Sequence, residues 1–350
     1  MPGVWRRAVR PASLLVLAAV GLTTSAGCDA ARSSPAAIFR PESPGAAAIH
    51  DLSVILLVIA VVVLVGVETV LLVAVFRFRN RPEESAVQTH GNLRLEVGWT
   101  VATALAILVI LGLTVKTMGE VTASPAEALP AASAFPGDTL VMKVVGYQWW
   151  WAFHYPQLDI VTANEVYVPV GKTVKVELES ADVIHSFWAP RLGGKTDMIP
   201  GQTNYTSFLA ISPGVYEGEC AEFCGLQHAH MAFKIVAVPP AEFSGWVRSQ
   251  QTAAAQPSTE AQRAGERAFL RLCASCHTVK GTEAAGRSGP DLTHFGSRQT
   301  IGAGTLRNSR EDLVRWLRDP QEAKPGNLMP NLKVDQATID QLVAYLESLR

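Results

Sequence analysis

The chain has 350 residues, 48% of them hydrophobic, and a formal net charge of −1. That length suits two or three domains, and a charge so near neutral excludes the bulk basic character of a nucleic-acid binder. The charge is unevenly spread: residues 120–248 carry 7 basic and 13 acidic side chains, net −6, whereas residues 259–350 carry 13 and 11, net +2. Opposite signs in one chain suggest electrostatic attraction to a partner or between domains.

The first 28 residues read as an export signal. Arg6, Arg7 and Arg10 precede the apolar stretch "SLLVLAAVGL", which is too short to span a bilayer. "TSAGC" then ends at Cys28 like a lipoprotein-type cleavage and acylation site, although Ser25 stands where such sites usually have an aliphatic residue. Ordinary cleavage nearby, or an uncleaved anchor, is the alternative.

A transmembrane hairpin is expected within 50–118. "SVILLVIAVVVLVGVETVLLVAVF" (53–76) gives ~36 Å of helix, enough to cross a bilayer, and "VGWTVATALAILVILGLTVKTM" (97–118) supplies the second span. The loop between them holds Arg77, Arg79, Arg81 and Arg94, which places it in the cytoplasm and everything after residue 118 outside. Glu68 lies inside the first span, and its position alone assigns it no function. Residues 119–137 are rich in Ala, Ser and Pro and read as a connector.

From 138 to 238 the pattern is that of strands, in a domain expected to run from 138 to 248. "KTVKVELES" alternates Val174, Val176 and Leu178 with Lys175, Glu177 and Glu179, and "EVYVPV", "NYTSFLA", "GVYEGE" and "AFKIVAV" are further short β-type runs, which together predict a β-sandwich. Residues 249–259, "SQQTAAAQPST", carry no charge and no large apolar side chain, and predict a flexible linker of roughly 20 Å. From 260 to 350 the period is helical. Ile339, Leu342, Val343, Leu346 and Leu349 share one stripe, and "SREDLVRWLRDP" opens on a Ser309 cap and stops at Pro320.

"ECAEFCGLQHAHM" (219–231) joins two of the expected strands. Its Cys220, Cys224, His228 and Met231 combine thiolate, imidazole and thioether, the ligand types of copper electron-transfer centres. A mononuclear blue-copper site needs one cysteine; two thiolates can each bridge two metals, and each metal then needs its own imidazole. His185 in "DVIHSFWAP" is the candidate for the second. A Cys220–Cys224 disulfide would leave Met231 and both histidines unexplained, and a structural zinc site would not select methionine. His230 fits the spacing less well than His228 and reads as a bystander.

"CASCH" (273–277) is the attachment motif for c-type haem, with Cys273 and Cys276 for the thioethers and His277 as proximal ligand. A redox disulfide or half a zinc site is the rival reading, disfavoured by the adjacent His277 and the helical surroundings. Met329 in "GNLMPNL" is the only methionine after His277 and is the expected sixth ligand; His294 is the competitor.

The copper-type loop, "GYQWWWAFHY" (146–155) and "HGNLRLEVGWT" (90–100) resemble subunit II of cytochrome c oxidase over most of the chain. "CASCH", "GPDL" (289–292) and "MP" resemble class I cytochrome c, so the whole is similar to subunit II of caa-type oxidases with a fused cytochrome. The resemblance implies a multi-domain fold: two-helix transmembrane hairpin, cupredoxin-like Greek-key β-sandwich, then an all-α class I cytochrome c domain. It implies a dinuclear copper centre (CuA) bridged by Cys220 and Cys224, with His185, His228, Met231 and the Glu222 carbonyl as further ligands. The Glu222 side chain would reach a magnesium ion shared with the large subunit. Trp149 would receive electrons, and Glu96 would lie at the mouth of a proton path in that subunit. By residue type alone, the three tryptophans at 149–151 could simply pack, and Glu96 is an interfacial carboxylate.

The function so implied is that of the electron-input subunit of a respiratory haem–copper oxidase. Electrons would pass from a cytochrome c or a bc complex through haem c and CuA to the catalytic subunit I, which reduces dioxygen with proton translocation, in company with subunit III. The setting would be a bacterial plasma membrane, with both redox domains on the periplasmic or extracellular side. The alternatives are a CuA subunit of a nitric oxide reductase and a copper-carrying lipoprotein; the haem motif argues against the second. A quinol-oxidase subunit would need no copper ligands.

Overall fold

The computed structural model describes residue 34 and residues 36–77, 90–122 and 139–350. The expected export signal with Cys28, the loop arginines Arg79 and Arg81, and connector residues 123–137 lie outside the described residues.

Two long helices come first, α1 (Pro44–Arg77) and α2 (Leu93–Thr122), and they pack against each other. Both run past the expected spans. The flank before residue 53, "PGAAAIHDL", opens on Pro44 in the first turn, where proline is tolerated, and continues with three alanines, and a helix need not stop where the hydrocarbon does. Neither has a polar face: Val62, Leu64, Val70, Ile107 and Leu108 all stand exposed, as lipid-facing or partner-facing side chains would. The start of α1 is fastened to the next domain. Ser43 Oγ accepts the Ala46 N–H at 3.0 Å and donates to the Leu192 carbonyl at 2.6 Å. Beside it, Arg191 pairs with Glu42 at 2.9 Å.

The middle of the chain is a sandwich of two five-stranded sheets. One sheet orders β3 (Ile160–Ala163), β2 (Trp150–Tyr155), β1 (Thr139–Tyr147), β5 (Thr173–Ser180) and β8 (Asn204–Leu209). The other orders β4 (Glu165–Pro169), β10 (Ala232–Val238), β9 (Gly214–Cys220), β6 (His185–Trp188) and β7 (Thr196–Met198). The predicted alternation is met: Val174, Val176 and Leu178 are buried, and they register against Leu140, Met142 and Val144 of the parallel neighbour β1. Between the sheets, Phe187 stacks on Phe233 at 4.5 Å and Trp151 meets Phe233 edge-on at 5.2 Å. Burying each such phenylalanine contributes about 1.5–3 kcal/mol. The helix α3 (Pro240–Gln251) closes the end, with Trp246 stacked on Tyr167.

The C-terminal domain is built on α4 (Glu260–Leu272), α5 (Arg310–Arg318), α6 (Pro320–Ala323) and α7 (Gln336–Ser348). Thr259 and Gln262 form a reciprocal capping box at the start of α4, and Ser309 caps α5 as expected. The stripe Ile339, Leu342, Val343, Leu346 and Leu349 is buried, and Tyr345 packs on Phe269 of α4. One feature departs from an all-helical domain: a small antiparallel hairpin of β11 (Thr300–Ile301) and β12 (Leu306–Arg307).

The expected linker 249–259 differs from free chain. Its first three residues complete α3, and Ala254 is buried in the C-terminal core with its N–H on the Lys280 carbonyl at 2.9 Å. Small uncharged side chains, which composition reads as flexible, are also those that fit against another domain's backbone.

Candidate copper and haem sites

The loop between β9 and β10 closes on itself by backbone bonds. The Cys220 N–H donates to the Met231 carbonyl at 3.1 Å and the Ala221 N–H to the Ser186 carbonyl at 3.0 Å. Cys220 therefore leaves β9 beside β6, which brings His185 to it. His185 Nδ1 lies 3.8 Å from Cys220 Sγ, and His228 Nδ1 lies 3.6 Å from Cys224 Sγ. The two sulfurs are 3.8 Å apart and unbonded, so the pair is not a disulfide. Met231 Sδ is 3.8 Å from Cys224 Sγ, and the Glu222 carbonyl oxygen is 3.2 Å from Cys220 Sγ. Every sequence-expected copper ligand thus arrives at one place, and His185, Cys220, Cys224 and Met231 are buried. The hydrogen bond between the thiols holds Cys220 well below the usual thiol range, and the same bond pushes Cys224 up.

Neighbours missed in the sequence set this geometry. Asp182 Oδ1 lies 2.8 Å from His185 Nε2, which leaves Nδ1 directed at the sulfurs. Burial disfavours protonation of His185, but the bonds to Asp182 and Cys220 outweigh it and raise its pKa. The signal for Asp182 was a carboxylate three residues before a candidate ligand. Gln148 Nε2 and Trp149 Nε1 both donate to the Cys224 carbonyl, at 2.7 and 3.0 Å. The three tryptophans divide: Trp151 is core, Trp150 stacks on Tyr147 at 4.4 Å, and Trp149 borders the copper loop.

Other expected residues lie elsewhere. His230, read as a bystander, bonds Gln227 Oε1 at 2.7 Å. The exposed Glu222 carboxylate is 3.8 Å from Lys195 Nζ. Glu96 Oε1 accepts the Asn92 N–H at 3.1 Å, while Asn92 Oδ1 accepts those of Arg94 and Leu95, so the carboxylate serves the N-terminal cap of α2.

In the C-terminal domain, Cys273 caps α4, so both cysteines and His277 follow directly from a helix end. His277 Nδ1 donates to the Pro290 carbonyl at 2.8 Å, which leaves Nε2 as the free ligand atom. Gly289 makes this possible: a Cβ there would lie 2.6 Å from His277 Cε1. Burial lowers the His277 pKa, and burial raises the Cys273 thiol to about 11. Met329 is half-buried in a turn where its N–H meets Asn327 Oδ1 at 2.8 Å. Leu328 and Leu332 beside it are 77% and 43% exposed, an apolar flank of the kind a haem would cover. His294, the competing ligand, is buried with Nε2 on the Gln250 carbonyl at 3.3 Å, at the junction with α3.

Comparison with known proteins matches three family descriptions in series. They are the transmembrane domain of cytochrome c oxidase subunit II at residues 36–115, its periplasmic domain at 157–238, and cytochrome c at 262–350. Cytochrome c oxidase subunit 2 of Alkalihalophilus pseudofirmus is 37% identical over 89% of this chain and 90% of its own length. Those of Bacillus sp. (strain PS3) and Bacillus subtilis are 35% and 32% identical, over 78% and 86% of this chain and 79% and 88% of theirs. These domains imply copper and haem c in general terms, and a two-pass membrane protein with its soluble domains outside. The chain belongs to the cytochrome c oxidase subunit II family, in the form that ends in a cytochrome c domain.

Proposed function

We propose that this chain carries electrons from a c-type haem, through a dinuclear copper centre, to the catalytic subunit of a haem–copper oxidase that reduces dioxygen. The observation that carries the reading is the convergence of two thiols, two imidazole nitrogens, a thioether and a carbonyl within a few ångströms. The donor set fits copper: soft sulfur with imidazole. Each sulfur has its own imidazole, so Cys220 and Cys224 would bridge two ions, with His185 and His228 as terminal ligands and Met231 and the Glu222 carbonyl as weak ones. Bound copper supplies one-electron exchange.

The protein's own groups hold that site still. Asp182 orients His185, and Gln148 and Trp149 fix the Cys224 carbonyl. The hydrogen bond from Trp149 to the residue that carries a bridging sulfur supports its role in passing electrons. At the second site Cys273 and Cys276 would hold haem by thioethers, His277 Nε2 would be the proximal ligand and Met329 the distal one. The Glu222 carboxylate would complete a magnesium site with the catalytic subunit, and Glu96 would stand near its proton path. A cytochrome c or bc complex as donor and a subunit III complete the proposed assembly, with proton translocation in the partner.

Metal analysis and a haem stain on the purified complex test this. Two coppers and one covalent haem are expected per chain, with oxygen consumption by the complex. One copper without a mixed-valence signal would refute the dinuclear centre, and turnover with nitric oxide in place of oxygen would reassign the partner.

A further inference from the structure

Several features of the cytochrome domain meet on the copper domain. The hairpin β11–β12 turns through Gly302, Ala303 and Gly304, all with left-handed φ, and pushes this turn against β10. The Ala232 N–H donates to the Ala303 carbonyl at 3.0 Å, and Ala303 is buried. A Cβ on Gly304 would lie 2.9 Å from that of Ala232. On one side Glu165, a buried carboxylate at the start of β4, accepts the N–H groups of Gln299 at 2.8 Å and Thr300 at 2.7 Å, and the Thr300 hydroxyl at 2.8 Å. On the other, Lys324 is 2% exposed and its ammonium has three donors for three carbonyls: Trp149 at 2.8 Å, His230 at 2.7 Å and Gly302 at 2.8 Å. Two of those acceptors belong to the copper domain and the third to the hairpin turn. The loop after Lys324 continues the contact, with Gln227 Nε2 on the Pro325 carbonyl at 2.7 Å and Gly326 against Leu226. Met329 follows five residues after Lys324.

We infer that the hairpin, Glu165 and Lys324 form a latch that seats the haem domain in one fixed position on the copper loop, with Lys324 as a positioning residue for electron transfer between the two centres. The inference rests on the function proposed above. A buried lysine and a buried glutamate are costly unless each is satisfied. All three of the Glu165 contacts and two of the three at Lys324 cross the domain boundary, so undocking would strand five donor or acceptor contacts at once. With haem held by Cys273, Cys276 and His277 and copper held at the Cys220–Cys224 loop, the transfer so served would be a single electron from the haem to copper, with no bond made or broken. With Lys324 on the Trp149 carbonyl, this face of the copper loop is covered by the chain's own haem domain, so an external donor would deliver to the haem.

Amide hydrogen exchange on the full chain in its complex reads the latch directly. The N–H groups of Ala232, Gln299 and Thr300 should be protected, and Lys324→Met should raise their exchange by about tenfold or more while Phe233 and Val343, inside each domain, stay unchanged. Flash-induced haem-to-copper transfer should be independent of solvent viscosity in the native chain. In Lys324→Met it should become viscosity-dependent and slow by at least about tenfold, with the haem potential and copper spectrum unaltered. Glu165→Gln gives an independent reading if Lys324→Met fails to assemble. Native transfer that slows with viscosity would overturn the inference, and so would native exchange at the rate of free loops or variants indistinguishable from native. Haem and copper content on the same samples separates this from the function itself: missing cofactors would refute the function, whereas the exchange pattern reads the latch regardless.

Discussion

The copper loop and the haem-binding segment solve the problem of holding a redox centre in opposite ways. At the copper loop, candidate ligands from β6, the end of β9 and the following turn converge through the fold. His185 stands 35 residues before Cys220 in the chain yet 3.8 Å from its sulfur. At the haem segment the three candidate attachment residues are consecutive or nearly so at one helix end, and the fold contributes the orientation of His277 and a glycine that makes room for it. A site made of convergent side chains depends on packing. A site made by covalent attachment depends on a short motif. The two should fail differently.

The largest expected effect breaks the first site alone. Replacing Cys220 and Cys224 by Ser should abolish copper binding outright, because soft bridging ligands are lost, and leave the haem stain intact. Metal analysis beside a haem-stained gel checks both halves, and loss of both cofactors would contradict the separation. Next, Met329→Leu should keep haem attached but lower its potential by on the order of 0.1 V, measured by redox titration; an unchanged potential and optical spectrum would mean another sixth ligand. Asp182→Asn sharpens the comparison, since it removes no ligand: the copper affinity should fall about 10–100-fold, read by competition with a chelator, and the haem potential should not move. Smallest is Gly289→Ala. Its Cβ would press on the His277 ring, so the haem domain should lose about 1–3 kcal/mol, seen as an earlier thermal transition while the copper spectrum persists.

Much of this was legible in the sequence because the relevant signals are local. Alternation in "KTVKVELES" marks a half-buried strand, the stripe from Ile339 to Leu349 marks a buried helix face, and "CASCH" declares its chemistry in five residues. The residues of the candidate copper site are also close in sequence, since the thirteen residues from 219 to 231 hold four of the five expected side-chain donors. Two apolar runs of helix-spanning length announced the membrane hairpin for the same reason.

What only the tertiary structure decided is how the pieces meet. Composition reads "SQQTAAAQPST" as a free tether, yet Ala254 is buried in the haem domain and Ser249–Gln251 lie in α3. Nothing local marks Lys324 as different from the chain's other lysines, because its three carbonyl partners come from residues 149, 230 and 302. Glu165 opens a strand with no hint that its carboxylate will cap another domain's hairpin. Local pattern determines which residues form strands, helices and metal-type loops, since propensity and periodicity act over a few residues. The docking of one folded unit on another depends on shape and on buried polar groups finding partners far along the chain, and no short-range pattern encodes that.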